Sequence, residues 1–174
     1  DNFFNQINQL GIAPDGFSRE VKLSTNDIIF WVTSLEYTWE ELIFAAEYSQ
    51  YDGSFRSSQP DIIGHSTLRQ QKGYAQLSYG LTDWSQFALS YGTISNPDDP
   101  YGLENAKETG EKHYASFQND LALSARFDIN DYWIFKLEGH LMDGTMLVYE
   151  LDNRKHPDLE RYWTLLAVKT TLTF

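Results

Sequence analysis

Apolar and polar side chains alternate with a period of two residues over most of the chain. From 29 to 37 the large apolar side chains stand at odd positions, and from 42 to 48 the apolar row continues at even positions. The alternation returns at 73–91, 115–127, 133–141 and 162–174. A two-residue period places an apolar row on one face of a β-strand. The pattern therefore predicts an all-β fold with about seven or eight strands.

Connections between the predicted strands fall into two lengths. Short turns are predicted at 38–41, 82–84 and 129–131. Polar, turn-rich loops are predicted at 52–70, 95–112 and 143–161. Because short and long connections alternate, an antiparallel up-and-down sheet would carry all the long loops at one end. Residues 1–26 lack the alternation, and we expect a loop or short helix that leads into the first clear strand, with Val21 and Leu23 as an extension of that strand.

The composition excludes several classes of protein. The chain has 174 residues, a net charge of −12 and no cysteine, and this length suits one domain. The negative charge argues against a nucleic-acid partner, and the lack of cysteine excludes disulfides and thiolate metal sites. The longest apolar runs have five residues, whereas a spanning helix needs roughly 20. The first residue, Asp1 in place of methionine, predicts a processed product or a fragment.

Three features favour a membrane barrel over a soluble one. The predicted strands have about 10 to 16 residues, and a tilted membrane strand needs roughly 9–11. One trimmed end and one looped end are the layout of outer-membrane barrels. Aromatic side chains also cluster at both strand ends, as the two interfaces of a membrane select. The short-turn end carries Tyr37, Trp39, Trp84 and Trp133, and the loop end carries Tyr48, Tyr91 and Tyr162. We therefore predict an antiparallel up-and-down transmembrane β-barrel with two aromatic belts.

The face opposite the apolar row is polar and charged. Its predicted pore-lining residues are Glu47, Asp120, Arg126, Lys136, Glu138, His140 and Lys169. A packed protein core could not bury so many charges without a paired network, whereas a water-filled lumen solvates them. Such a wall would orient and filter solutes. A polar lumen without selectivity is the alternative interpretation.

The short turns also predict the register of the hairpins. The predicted outward pairs are Leu35 with Phe44, Trp31 with Tyr48, Tyr79 with Phe87, and Phe127 with Trp133. The predicted inward pairs are Asp120 with His140 and Lys136 with Ser124. Aromatic and aliphatic cross-strand pairs of this kind stabilise strand pairing.

Catalysis and metal binding find little support in the sequence. Asp120 and His140, with Ser116 or Ser124, make a Ser/His/Asp set. Such a set arises readily by chance on polar strands, and no nucleophile elbow accompanies it. The acidic loop residues with oxygen ligands for a divalent cation are Asp98, Asp99 and Glu104. A solvated charge run is the simpler interpretation of these three. We therefore predict no enzyme activity, no catalytic residue, no metal site and no cofactor.

Two segments of the chain resemble the C-terminal end of Gram-negative outer-membrane porins, including proteins loosely grouped with the phosphate-selective porins. They are DLALSARFDINDYWIFKLEGHLMDG at 120–144 and WTLLAVKTTLTF at 163–174. The resemblance implies that residues 1–174 are one barrel domain or the C-terminal fragment of a larger barrel of about sixteen strands. It also implies an outer-membrane location, contact with lipid and lipopolysaccharide, and a homotrimer. The terminal Phe174 would be part of the signal recognised by the outer-membrane assembly machinery. No arginine-rich constriction loop or lysine ladder is evident, so the resemblance does not extend to phosphate selectivity.

Three functional hypotheses follow. The first is a porin, a passive diffusion channel for small hydrophilic solutes or ions, with a mild cation preference from its acidic wall and loops. The second is an eight-stranded outer-membrane barrel with a plugged interior and an adhesive or structural role. The third is a soluble ligand-binding β-barrel, whose cavity would be lined by Trp31, Phe44, Phe87, Phe117 and Phe135.

Overall fold

The computed structural model describes residues 22–58, 64, 66–148 and 159–174. Within them, seven strands form one antiparallel sheet in which each strand pairs with the next along the chain. The strands are β1 Leu23–Trp39, β2 Leu42–Ser57, β3 Ser66–Thr82, β4 Ser85–Ser95, β5 Phe117–Asn130, β6 Trp133–Gly144 and β7 Tyr162–Leu172. The predicted all-β antiparallel architecture is confirmed. No ladder joins β1 to β7 in this part of the chain, so the sheet is open and both are edge strands.

The connection between β4 and β5 folds into helix α1, Leu103–Thr109, followed by a 3₁₀ turn, His113–Ala115. Asp99 caps the helix, because its carboxylate accepts 2.9 Å hydrogen bonds from the backbone N–H groups of Leu103 and Asn105. Among the residues described, no helix is long and apolar enough to span a membrane.

The predicted loop at 52–70 is wrong, because β2 continues to Ser57 and β3 begins at Ser66. Asp52 pairs with Arg69 within this ladder. The apolar row stops earlier along both strands, but the ladder continues, since it needs only backbone N–H and C=O groups. These two strands therefore extend beyond the apolar part of the sheet as a polar hairpin.

The other predicted connections occur in the structure with shifted bounds. The long connections are 96–116 and 145–161, and the tight turns are 40–41, 83–84 and 131–132. β1 begins at Leu23, so this residue extends the first strand as expected, and the end of the segment predicted as loop or helix is strand. The rest of that segment, 1–21, lies outside the described residues, and Val21 with it.

The register confirms the predicted pair of Tyr79 with Phe87 and corrects the others. The observed pairs are Leu35 with Ala46, Phe44 with Tyr37, Trp31 with Gln50, Phe127 with Phe135, Trp133 with Asn130, Asp120 with Met142, His140 with Ala122, and Lys136 with Arg126. The turns at 40–41 and 131–132 each lie further along the chain than predicted, and this displaces the pairs of their hairpins by two residues. Trp133 is the exception, because a register shift between Asp128 and Asn130 sets it opposite Asn130. A two-residue shift changes the neighbours but keeps every side chain on its predicted face, because side chains alternate with period two.

One face of the sheet is apolar and exposed. Leu123 in β5 is 62% exposed, and Leu166 in β7 is 83% exposed. Other exposed side chains of this face are Ile29, Trp31, Leu35, Leu77, Leu89, Leu121, Leu137, Leu141, Val168 and Leu172. No further layer of the described chain packs on it. The opposite face is polar and curves around two cavities. The two sides are named here the convex apolar face and the concave polar face.

Buried apolar side chains are scarce in the described part of the chain. They are Ile94, Phe117 and Ala122. Phe117 lies under the β4–β5 connection, where its ring stacks on His113 with 6.1 Å between centroids. At the short-turn end, Phe127 instead makes ring contacts on the exposed convex apolar face, at 6.0 Å to Trp84 and 6.4 Å to Phe135. The sheet therefore has no conventional apolar core between two layers.

Candidate functional site

The concave polar face carries all the residues predicted to line a pore. These are Glu47, Asp120, Arg126, Lys136, Glu138, His140 and Lys169, which share one face by register. Directly paired residues form lateral rows across the strands on this face. The order of charges along these rows follows from the observed register, and the predicted register would have placed them differently.

One row runs across β2, β3, β4 and β5 towards the loop end of the sheet. It consists of Glu47, Tyr74, Gly92 and Asp120, each paired with the next. The row is named here the acidic row. Its two carboxylates stand on either side of an aromatic ring and a residue without a side chain.

Asp120 and His140 make the closest contact between predicted site residues. Nδ1 of His140 lies 3.0 Å from Oδ2 and 3.1 Å from Oδ1 of Asp120. The two residues are diagonal neighbours in the β5–β6 ladder, since Asp120 faces Met142 and His140 faces Ala122. The small Ala122 side chain lets the imidazole reach across to the carboxylate.

A second row crosses β5, β6 and β7 at the short-turn end. It consists of Arg126, Lys136 and Lys169, each directly opposite the next, and is named here the basic row. Adjacent like charges destabilise strand pairing, and two carboxylates offset this repulsion. Nε of Arg126 lies 2.8 Å from Oδ1 of Asp128, and Nζ of Lys136 lies 3.2 Å from Oε1 of Glu138.

Sequence reasoning missed the basic row because the predicted register set Lys136 opposite a serine. Along β5, the basic row lies six residues from the acidic row, a separation of about 20 Å. The concave polar face therefore has a charge gradient along the strand direction. In the described residues, Lys169 makes no ion pair, and its ammonium is the uncompensated charge of the basic row.

A cavity of about 310 Å³ opens over the acidic row. Glu47 and Asp120 line it together with Lys72, Tyr74 and Leu147. Lys72 was missed because the predicted strand began at Gly73, one residue too late to include the lysine. Odd and even positions from 66 to 72 are both mostly polar, so no alternation marks this part of β3 in the sequence.

The start of the β6–β7 connection folds over this cavity. Gly144 has φ 100°, and a Cβ there would lie 2.2 Å from the carbonyl oxygen of Phe117, so only glycine permits this close turn. The N–H of Thr145 then donates to the carbonyl of Tyr114 at 2.8 Å. The N–H of Leu147 donates to Oε1 of Gln118 at 3.1 Å, which fixes the leucine over the cavity.

Two arginines fasten the loop end, beyond the apolar part of the sheet. Nε of Arg69 lies 2.6 Å from Oδ1 of Asp52, and Nη1 lies 2.6 Å from Oδ1 of Asp98. The hydrogen bond from Arg69 lowers the pKa of Asp52 below its ordinary value. Arg161 binds both carboxylate oxygens of Asp143, at 2.5 and 3.1 Å. The Arg69 contacts join the polar hairpin to the β4–β5 connection, and the Arg161 contact joins the end of the β6–β7 connection to β6.

The three acidic loop residues considered as cation ligands each contact a different part of the protein. Asp98 binds Arg69, Asp99 caps helix α1, and Glu104 lies 3.2 Å from Nζ of Lys107. In the part of the chain that the structure describes, no group of three histidine, aspartate or glutamate side chains could hold a metal ion. Ser116, one of the two serines considered for a catalytic set, accepts a hydrogen bond from Asn105 at 3.1 Å.

The predicted belt residues lie at the two ends of the apolar rows. The exposed fractions at the short-turn end are 63% for Tyr37, 62% for Trp39, 54% for Trp84 and 41% for Trp133. At the loop end, Tyr91 is 49% and Tyr162 is 65% exposed, and Tyr48 is half-buried. The ring of the terminal Phe174 is fully exposed.

Comparison with protein-family models, curated protein sequences and solved structures finds no match for this chain. The resemblance to outer-membrane porins therefore stays a prediction.

Proposed function

We propose that this chain forms part of the wall of a transmembrane β-barrel, an outer-membrane porin through which small hydrophilic solutes or ions diffuse passively. One observation carries the proposal. The large apolar side chains occupy the exposed convex apolar face, whereas the charged side chains occupy the concave polar face. A sheet in water has the opposite preference, since exposed apolar area costs about 25 cal/mol per Å². Lipid outside and water inside suit both faces at once.

The aromatic side chains support the same orientation. Tyr37 and Trp39 end the apolar row of β1 at the short turn, and Tyr91 ends that of β4 towards the long connection. Tyrosine and tryptophan favour the interfaces of a bilayer because they have an apolar ring and a polar group. The distance between these ends would then span the hydrocarbon layer.

The charged side chains of the concave polar face are partly solvated rather than buried. Arg126 is 42% and Asp128 is 39% exposed, and Lys136 is 39% and Glu138 is 34% exposed. Ion pairs of this kind are stable next to water, whereas burial in a dry core would cost several kcal/mol per ion. This degree of exposure favours a water-filled lumen.

Closure of the barrel requires strands in addition to the seven described. β1 and β7 are both edges, and unpaired backbone groups cannot face lipid. A larger barrel of about sixteen strands, assembled as a homotrimer and surrounded by lipid and lipopolysaccharide, belongs to this proposal. The location in the outer membrane of a Gram-negative bacterium belongs to it as well.

The two other hypotheses fit the geometry less well. A soluble ligand-binding barrel would need Trp31, Phe44 and Phe135 around an interior cavity, but the register puts them on the convex apolar face. A plugged adhesion barrel would need a packed interior, but the concave polar face borders cavities of about 310 and 130 Å³.

The test is single-channel recording with the purified protein in a planar lipid bilayer. We expect stepwise conductance increases, and a reversal potential under a salt gradient that shows a mild cation preference. Stable insertion without conductance would reject the channel and favour the plugged barrel. A protein that stays soluble and monodisperse without detergent would reject the membrane location itself.

A further inference from the structure

The cavity over the acidic row has charges of both signs that do not pair with each other. Glu47 and Lys72 both line it, and they are diagonal neighbours on β2 and β3, since Glu47 faces Tyr74 and Lys72 faces Ser49. The backbone positions of diagonal neighbours are about 7–8 Å apart. In the described residues neither side chain has an ion pair or hydrogen bond, although other charged pairs on the same face do.

The second carboxylate of the cavity is already engaged. Asp120 contacts His140 at 3.0 Å, so it is a weaker anchor for a ligand than Glu47. The cavity therefore presents one free ammonium and one free carboxylate. A ligand with a single charge would use only one of these two groups, whereas a ligand with both charges would use both.

Most of the remaining surface of the cavity is apolar, and Ser49, Thr93 and Gln118 add polar groups to the lining. The ring of Tyr74 is 47% and the side chain of Leu147 is 56% exposed, and Ile94 forms a buried part of the wall. Between Tyr74 and Asp120, a Cβ at Gly92 would meet only the Gly73 carbonyl oxygen, at 3.9 Å. This leaves room for a ligand against the sheet.

We propose that this cavity binds a small zwitterion, an α-amino acid with an apolar side chain. Lys72 would hold the α-carboxylate, Glu47 the α-ammonium group, and Tyr74 with Leu147 the side chain. A volume of about 310 Å³ lies at the lower end of small-molecule sites, which have about 300–1,000 Å³. The inference rests on the proposed channel, because the cavity would be a solute-binding site along its lumen.

The experiment measures binding apart from conductance. The purified protein in non-ionic detergent is titrated calorimetrically with L-leucine, with leucine methyl ester, which keeps only the ammonium group, and with N-acetyl-leucine, which keeps only the carboxylate. We expect leucine to bind at least tenfold more tightly than either analogue. Equal affinities would show an apolar pocket only, and no binding of any of the three would also overturn the proposal.

Two variants separate the charged contacts. Lys72→Met should weaken the binding of leucine and of N-acetyl-leucine at least tenfold and leave the binding of the methyl ester unchanged. Glu47→Gln should weaken the binding of leucine and of the methyl ester at least tenfold and leave the binding of N-acetyl-leucine unchanged. Lys107→Met and Glu104→Gln remove the same charges from the exposed helix α1 and should leave all affinities unchanged. If Lys72→Met alters none of the affinities, the two side chains neutralise each other and the proposal fails.

The two proposals fail in different ways. Channels that conduct ions but bind no leucine would reject the zwitterion site and keep the porin. Leucine binding by a protein that never conducts would reject the channel and keep the site. The comparison of ligands on the unmodified protein remains decisive even if a variant does not fold.

Discussion

Nδ1 of His140 lies 3.0 Å from Oδ2 of Asp120, across the ladder between β5 and β6. The contact is diagonal, because each residue is directly opposite an uncharged neighbour. It joins an imidazole to one of the two carboxylates of the acidic row. Asp120 is thus placed where its charge acts both on the imidazole and on ions in the proposed lumen.

Removal of the Asp120 charge should reduce cation preference. Asp120→Asn keeps the shape of the side chain, so we expect the strand pairing to survive. One charge at about 8 Å in water attracts a cation and repels an anion by roughly 0.5 kcal/mol each, which predicts a roughly sixfold lower ratio of cation to anion permeability at low salt and a smaller change as salt screens the charge. Reversal potentials under a salt gradient measure this ratio. Asp131→Asn at the exposed turn is the control and should change nothing. An unchanged ratio in Asp120→Asn would mean that this carboxylate does not face the ion path.

A new positive charge should lower stability on the convex apolar face and have little effect on the concave polar face. Leu123 and Ser124 are consecutive in β5 and lie on the convex apolar and concave polar faces. Leu123→Arg puts a charge against lipid and should lower the free energy of unfolding by about 2–4 kcal/mol near the bilayer midplane. Ser124→Arg faces the lumen beside Glu138 and should be nearly neutral. Denaturant unfolding in lipid vesicles measures the free energy of unfolding of both variants. Equal losses of stability would contradict a lipid-facing convex apolar face.

The Arg69 contacts should hold the β4–β5 connection to the polar hairpin. Arg69→Met removes the hydrogen bonds to both Asp52 and Asp98, so we expect faster proteolysis within 96–102 at neutral pH. Lys107→Met, which breaks only the local pair with Glu104, is the control. Cleavage at the wild-type rate in Arg69→Met would show that the connection is held by other contacts.

The same contact should depend on pH in a defined direction. Arg69 lowers the pKa of Asp52, and this pair lies beyond the belt tyrosine Tyr48, where the apolar rows of β2 and β3 have ended. A lowered folded-state pKa gives stability above the unfolded-state value of about 3.9, and this stability is lost as the pH falls through the folded-state value. The difference between wild type and Arg69→Met in thermal unfolding should therefore shrink below about pH 4. A difference that persists at lower pH would contradict the ionic origin.

Deletion of Phe174 should affect assembly rather than folding stability. Its ring is fully exposed, so its removal breaks no packing contact. We expect less protein in the outer membrane of cells that express the full chain, with unchanged unfolding of the protein refolded in detergent. Leu172→Ala, which trims another exposed side chain of the same end, is the comparison. Normal membrane insertion after the deletion would remove the basis for an assembly signal at this residue.

The alternation of apolar and polar residues along each strand is enough to predict which residues share a face of the sheet. The alternation put Leu123 and Arg126 on opposite sides, and the structure agrees. The period of two makes this information local, because it depends only on neighbouring positions along one strand. The same pattern predicted most of the strands and the tight turns between them.

Neighbours across strands, in contrast, follow only from the observed pairing of the strands. A turn displaced by one residue moved Lys136 from Ser124 to Arg126 and created the basic row. The polar sequence around Asp52 and Arg69 did not predict the ladder between them, because backbone pairing continues where the apolar row has ended. The cavity likewise depends on the close turn at Gly144. Such contacts depend on backbone hydrogen bonds between distant segments, and the pattern of side chains along one strand does not record them.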